Sequence, residues 1–215
     1  MRLSATAQQA YEAIRRQIEE GKLCPGNHIV EAGLSEVLHM SRTPVREALR
    51  KLVDDRWLEY IPNRGMRVRE WNRKDIQDNF RVRLLLESEA AAQAALHIEK
   101  SDIEELEMLN SQLRAIAGFR GREGAIEQMT DLNLKFHKLI WQVSDNRTLY
   151  EILHRNINLP TMYSTYRHYD QGKLLSSLDE HDLLVQYFKI REAEKARLVM
   201  KNHLHRAAAV FDRRE

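Results

Sequence analysis

Apolar positions near the start of the chain recur at steps of three and four. Ala7, Ala10, Tyr11, Ile14 and Ile18 therefore share one face of an amphipathic helix. Gly21 and then Pro25-Gly26 end it. His28-Ile29-Val30 reads as a short extended segment, residues 31–38 as a short helix, and His39 to Arg42 as a break. Thr43 is expected to cap a further helix with Pro44 in its first position, where a missing N–H costs nothing. That helix runs through Val45, Leu49, Leu52 and Val53. After Trp57 the period drops to two. Leu58 and Tyr60 alternate, as do Met66 and Val68, around Pro62-Asn63-Arg64-Gly65, which predicts a two-stranded hairpin.

From Asn72 onward the pattern is helical throughout. Helices are predicted over about 73–98, 102–118, 123–144, 147–160, 172–190 and 192–213. The run Ala90 to Ala95 marks a closely packed helix, and the glycine-bearing stretch from Ala117 to Gly124 marks a loop. The fold class is mostly α. A winged helix-turn-helix with a small β-hairpin spans residues 1–72, and an all-α antiparallel helical bundle spans residues 73–215.

Composition narrows the function. With 43% hydrophobic and 31% charged residues, the chain can bury a core, so a disordered chain is excluded. A net charge of +2 excludes a generally polycationic protein. No apolar run approaches the ~20 residues that span a bilayer, and the N-terminus lacks a secretory apolar stretch. A lone Cys24 excludes an internal disulfide or a cysteine-based zinc site. The expectation is a cytoplasmic protein with no membrane association.

Charge is concentrated locally. Ser41 to Arg69 holds eight Lys/Arg and four Asp/Glu. Arg42, Thr43 and Arg46 stand at the start of the second short helix, and the four-residue spacing projects both guanidiniums the same way. Arginine can bond guanine O6 and N7 in parallel or grip phosphate, while the Ser41 and Thr43 hydroxyls suit phosphate oxygens. Double-stranded DNA is the partner this pattern favours. A solvated face on an adaptor-like domain is the competing reading.

The helical part offers a histidine constellation. Asn133 and His137 are four apart on one helix, His181 follows Glu180, and His203 lies on the last helix. Three imidazoles converging in a bundle can ligate a divalent transition metal. Nine histidines also allow accidental spacing. His28, His39, His97, His154, His168 and His205 show no constellation and read as surface or packing residues. The competing enzyme reading is a metal-dependent helical hydrolase with Glu180 as base. It finds no HExxH motif, nucleophile elbow or phosphate-binding glycine loop to support it.

The stretch LSEVLHMSRTPVREALRKLVDDRWLEYIPNRGMRV, with YEAIRRQIEEGKLCPGNHI before it, closely resembles the winged helix-turn-helix of the GntR family of bacterial transcription regulators. The resemblance implies operator contacts from Ser41, Arg42, Thr43 and Arg46, and a minor-groove contact from Arg64 in the wing. A position that is basic in some members is Ala32 here. Glu47 matches the motif and is expected to orient an arginine or to favour the helix start electrostatically. The stretches RVRLLLESEAAAQAA, NLKFHKLIWQVSDNRTLYEIL and EHDLLVQYFKIREAEKARLVMKNHL resemble the FCD ligand-binding domain of the family's FadR branch. A short domain of about six helices resembles the VanR-type subgroup.

That resemblance implies a homodimeric regulator, commonly a repressor, controlled by a small anionic metabolite. It also implies a divalent metal (zinc, nickel or manganese) on Asn133, His137, His181 and His203. Asn133 stands where Asp is usual and brings no negative charge, so a stronger pull on an anionic effector is expected. Arg83 is the candidate for the effector's carboxylate, and an intrahelical pair with Glu87 is its alternative.

Overall fold

A computed structural model describes residues 3–62, 64–119, 124–156 and 159–212. The chain divides into two compact units. One comprises residues 1–72 together with 158–160, the other residues 73–157 and 161–215.

In the first unit, helices α1 (Ala5–Glu19), α2 (Glu31–Val37) and α3 (Arg42–Asp54) accompany strands β1 (His28–Ile29), β2 (Leu58–Ile61) and β3 (Gly65–Val68). The faces foreseen from periodicity are the buried ones. Ala7, Ala10, Tyr11 and Ile14 of α1 close over Val45, Ala48, Leu49 and Leu52 of α3. The sheet has three antiparallel strands in the order β1-β3-β2, one more than the predicted hairpin. His28 pairs with Arg67 and Ile29 with Met66. The extended segment read at His28–Val30 is strand β1 at His28–Ile29, and what two residues could not reveal from the sequence is its pairing with β3. The hairpin closes where Ile61 pairs with Gly65, whose φ of +81° lies in the left-handed region that glycine adopts freely. Asn63 of the predicted turn lies outside the described residues.

The expected capping of α3 shifts by two residues. The N-cap is Ser41, not Thr43, and Pro44 is the third helical residue rather than the first. Both placements spare the helix, because the first four N–H groups have no intrahelical acceptor.

The second unit holds α4 (Arg73–His97), α5 (Lys100–Ala117), α6 (Ala125–Val143), α7 (Arg147–Asn156), α8 (Leu159–His168, from Thr161 onward), α9 (Gln171–Lys189) and α10 (Ala193–Ala209). These are seven helices among the described residues, where about six were expected. The helix expected over 147–160 is described as α7 to Asn156 and again from Leu159, with residues 157–158 outside the described residues. The helix α8 runs on to His168, past the expected end at residue 160, and the sequence pattern did not predict that extension. Pro160 is the second residue of α8, where its missing N–H costs no intrahelical bond. Residues 120–123 of the predicted glycine loop lie outside the described residues.

Ala90, Ala91, Ala92, Ala94 and Ala95 are all buried in α4. These small side chains let α10 pack closely, through Ala196, Val199 and Met200, into the core shared with Phe136, Ile140, Leu184 and Phe188. This core holds α6, α9 and α10 in register around α4, and these three helices carry the histidines.

Candidate functional site

In the first unit, Ser41, Arg42, Thr43, Arg46 and Arg64 are all exposed. The Ser41 side chain makes no capping bond. Arg42, Arg46 and Arg50 follow at steps of four along α3, so the three guanidiniums line one face. Arg46 is engaged within the unit. Its Nε–H and Nη2–H donate to the two carboxylate oxygens of Glu31 at 2.9 and 2.8 Å. Arg46 therefore holds the Glu31 carboxyl below the usual range, with Arg42 and Arg50 adding to the effect.

Of the two roles expected for Glu47, orienting an arginine finds no bond among the described residues. Glu47 accepts a bond from the Ser4 hydroxyl at 3.4 Å, and the arginine-holding acid is Glu31. Other basic residues of the patch are also partly committed. Lys51 donates to Asp55 at 2.5 Å, and Arg67 pairs across the sheet with Glu59 at 2.6 Å. Arg69 lies over the Trp71 ring at 4.2 Å. Arg42, Arg50 and Arg64 have no ion-pair partner among the described residues, so their charge is offered outward.

In the second unit, α6 presents Asn133 and His137, α9 presents His181 and α10 presents His203, all buried. One ring nitrogen of each histidine lies within 4.8 Å of the others, a cluster able to hold a metal ion. Each Nδ1 faces an oxygen acceptor. His137 Nδ1–H donates to Glu87 Oε2 at 2.7 Å, His181 Nδ1–H to Asn110 Oδ1 at 3.1 Å, and His203 Nδ1–H to Glu180 Oε2 at 3.2 Å. The Asn110 assignment is forced by its own amide nitrogen, which donates to the Leu178 carbonyl at 3.0 Å.

With every Nδ1 protonated, every lone pair sits on Nε2. The Nε2 atoms of His137 and His181 and the Oδ1 of Asn133 are buried without a hydrogen-bond partner. Burial pushes His137 below the ordinary histidine value despite the pull of Glu87, and pushes His181 well below it, with His203 and His137 adding. Both rings are thus neutral near pH 7, the state that ligates. Phe136 stacks on the His181 ring at 4.1 Å and fixes its plane. The three clustered histidines, two of them with unpartnered Nε2 acceptors, can hold a divalent cation, and Asn133 lines the same cavity as His137 and His203, so the residues fit the metal.

Three side chains that complete this arrangement were not assigned this role from the sequence: Glu87, Asn110 and Glu180. Glu87 accepts from His137, from Trp141 Nε1–H at 3.3 Å, and from Arg83 Nε–H at 2.6 Å. Burial alone would raise its carboxyl, but the Arg83 guanidinium and His137 override that and hold it down to about 2. Arg83 thus forms the intrahelical pair that was the alternative to effector binding, while lining the same cavity as Asn133, His137 and His203. Glu180 does not stand as a base beside His181. Its carboxylate faces His203 and forms an ion pair with Arg206. Two Arg–Glu–His relays therefore flank the cluster, and the charge around it is not set by Asn133 alone, as the sequence had suggested.

The cavity at the cluster measures about 20 Å³, room for a single ion or water. A larger cleft of about 470 Å³ shares Tyr169 and Ser177 with it and adds Lys173, Glu180 and Arg206. That volume falls in the range of metabolite sites.

A winged helix-turn-helix with outward arginines, carried on a chain with an all-helical unit and a buried polar cluster, defines a DNA-binding transcription regulator. Residues 6–68 match the gntR family of bacterial regulatory proteins and residues 78–206 match the FCD domain. The chain belongs to the GntR family, in its FadR-like, FCD-bearing branch. It is 29% identical over 199 residues to the HTH-type transcriptional regulator YdhC of Bacillus subtilis, covering 92% of this chain and 87% of that one. It is 26% identical to McbR of Escherichia coli, covering 94% and 91%. The solved structure of E. coli McbR/YncC aligns with a TM-score of 0.74 at 25% identity over 98% of both chains. These relatives and domains are those of transcription regulators and not enzymes, which favours the regulator over the hydrolase reading.

Proposed function

We propose that this protein is a cytoplasmic, homodimeric repressor whose operator affinity is controlled by a small carboxylate metabolite. Residues 1–72 serve as the DNA-binding domain and residues 73–215 as the metal- and effector-binding and dimerisation domain. The shortness of this helical domain supports assigning it to the VanR-type subgroup. In the first, Arg42 and Arg46 enter the major groove, Ser41 and Thr43 meet phosphate, and Arg64 reaches the minor groove from the wing. In the second, Asn133, His137, His181 and His203 hold a divalent transition metal such as zinc, nickel or manganese. When bound, that ion supplies a positive, directional contact for an anionic oxygen. The 20 Å³ cavity is too small for a metabolite, so the effector's body occupies the adjoining cleft, with Arg83 and Arg206 as its cationic contacts. Regulation requires the effector to bind one dimer arrangement better than another.

The observation that carries the metal-sensor reading is the cluster of His137, His181 and His203, in which the Nε2 atoms of His137 and His181 are buried without a partner. Elemental analysis of the purified chain is expected to find about one divalent metal per subunit. The His137→Ala, His203→Ala double variant is expected to have none. Equal content in both would remove the site. On the DNA side, Arg46→Ala is expected to abolish operator binding in gel shifts while leaving the fold intact. A lost bidentate base contact costs about 1–3 kcal/mol per half-site, and a dimer has two.

A further inference from the structure

The basic face of α3 contains an apparent contradiction. Arg42, Arg46 and Arg50 present three positive charges, yet the carboxylate of Glu31, from the first turn of α2, lies among them. An ionised acid on a phosphate-facing surface weakens general attraction to DNA. A helix N-terminal acid could sit there for its own helix alone, but then its two oxygens would not need to meet one guanidinium. Here they do, at 2.9 Å to Nε and 2.8 Å to Nη2 of the same arginine, fifteen residues away.

The guanidinium has five N–H donors in a rigid plane. Glu31 occupies the edge formed by Nε–H and one Nη2–H. The edge formed by Nη1–H and the second Nη2–H makes no bond among the described residues, and it has the same parallel spacing. A guanine presents O6 and N7 as two acceptors at matching separation. Arg46 can therefore be held by one edge and read a base with the other, without breaking its ion pair. About half of the Arg46 side chain is exposed, 55%, against 29% for Glu31, so the reading edge faces outward while the holding carboxylate is more covered.

We propose that Glu31 is a positioning residue for operator recognition. It clamps the inner edge of Arg46 so that the outer edge meets a guanine in one geometry, and it trades general DNA affinity for base discrimination. An unheld arginine has many rotamers, most of which can reach phosphate, and it loses that freedom on binding. A held one has lost it beforehand and cannot swing to phosphate. The inference rests on Arg46 reading a base, and the test separates the two.

DNA is selected from a randomised pool by the full-length wild-type chain and by Glu31→Gln, Glu31→Asp and Arg46→Ala. Affinities for the wild-type consensus and for scrambled DNA are then titrated at several salt concentrations. Glu31→Gln keeps the shape but loses the charge. Its ratio of consensus to scrambled affinity is expected to fall about tenfold, with scrambled binding unchanged or stronger and the required guanine relaxed in the selected pool. Glu31→Asp keeps the charge but shortens the reach, and an intermediate ratio is expected. In the Arg46→Ala background, Glu31→Gln is expected to change the ratio no further. Thermal melts establish that each variant is folded. An unchanged ratio and guanine preference in folded Glu31→Gln, with Arg46→Ala losing both, overturns the positioning role alone. Glu31→Asp matching wild type, or consensus and scrambled affinity rising together in Glu31→Gln, shows mere repulsion of phosphate and also overturns it. A guanine preference that survives Arg46→Ala overturns the base-reading assignment and this inference together.

Discussion

Single side chains in this protein act through the partner on their far side. Arg46 is set by Glu31, His137 by Glu87, and His203 by Glu180. Lys51, which charge alone would assign to phosphate, is tied to Asp55, which also accepts from Tyr11 at 2.8 Å. Asn133 is the exception, because its Oδ1 is buried with no partner. A carboxylate there would be a third acid beside Glu87 and Glu180, unpaired until a cation arrives. Asn133→Asp is therefore expected to lower the stability of the metal-free protein by several kcal/mol. It is expected to raise the melting gain on adding zinc above that of wild type and to slow metal loss to a chelator. Thermal melts with and without chelator measure the first two, and a chelator-release time course measures the third. Faster metal loss than wild type would show that Asn133 is not a ligand.

At the scale of elements, the turn between α2 and α3 decides how the recognition helix is presented. His39 sits there with φ +51°, in the left-handed region. The turn satisfies the end of α2 through His39 N–H to the Glu36 carbonyl at 3.2 Å and Met40 N–H to the Ser35 carbonyl at 3.0 Å. Histidine tolerates this conformation better than most residues, and a β-branched side chain does not. His39→Val is expected to destabilise the protein by about 1–2 kcal/mol, and His39→Gly to be neutral or slightly stabilising. Urea unfolding followed by circular dichroism distinguishes these outcomes. Periodicity placed this break at His39–Arg42, and the structure shows α2 ending at Val37 and α3 starting at Arg42. The handedness of His39 was not readable, because it depends on how α2 and α3 pack.

At the scale of the molecule, both units bury tyrosines whose hydroxyls resist ionisation. Burial, with Asp55 beside it, pushes Tyr11 well above the ordinary value. Burial raises Tyr166 well above it and Tyr169 to about 12. The folded chain thus keeps protons that the unfolded chain releases above its ordinary value of about 10. Stability is fully present below that pH and is lost as pH rises through it, by up to ~1.4 kcal/mol per pH unit for each tyrosine. Urea unfolding at about pH 8 and about pH 11 is expected to show this loss. Tyr11→Phe is expected to reduce it while costing about 1 kcal/mol at the lower pH through the lost bond to Asp55. An equal alkaline loss in Tyr11→Phe would exclude Tyr11 as a contributor. Among the described residues no helix is long and apolar enough to cross a membrane.

The sequence alone established those features in which neighbours along the chain are neighbours in space. The amphipathic faces of α1 and α3, the β2–β3 hairpin and the shared face of Asn133 and His137 all arise from periods of 3.6 or 2. Each could therefore be read without a partner element. Tertiary structure decided what depends on distant packing. The pairing of strand β1 is with β3, thirty-seven residues away or more. Glu87 reaches His137 across 50 positions and Asn110 reaches His181 across 71. Glu180 adjoins His181 in the chain, yet it serves His203, because successive side chains on a helix point ~100° apart and α10 lies on the side that Glu180 faces. Residue types and spacings name the atoms able to ligate or to read a base. Which tautomer, edge and charge those atoms present is set by partners that only the folded chain brings beside them.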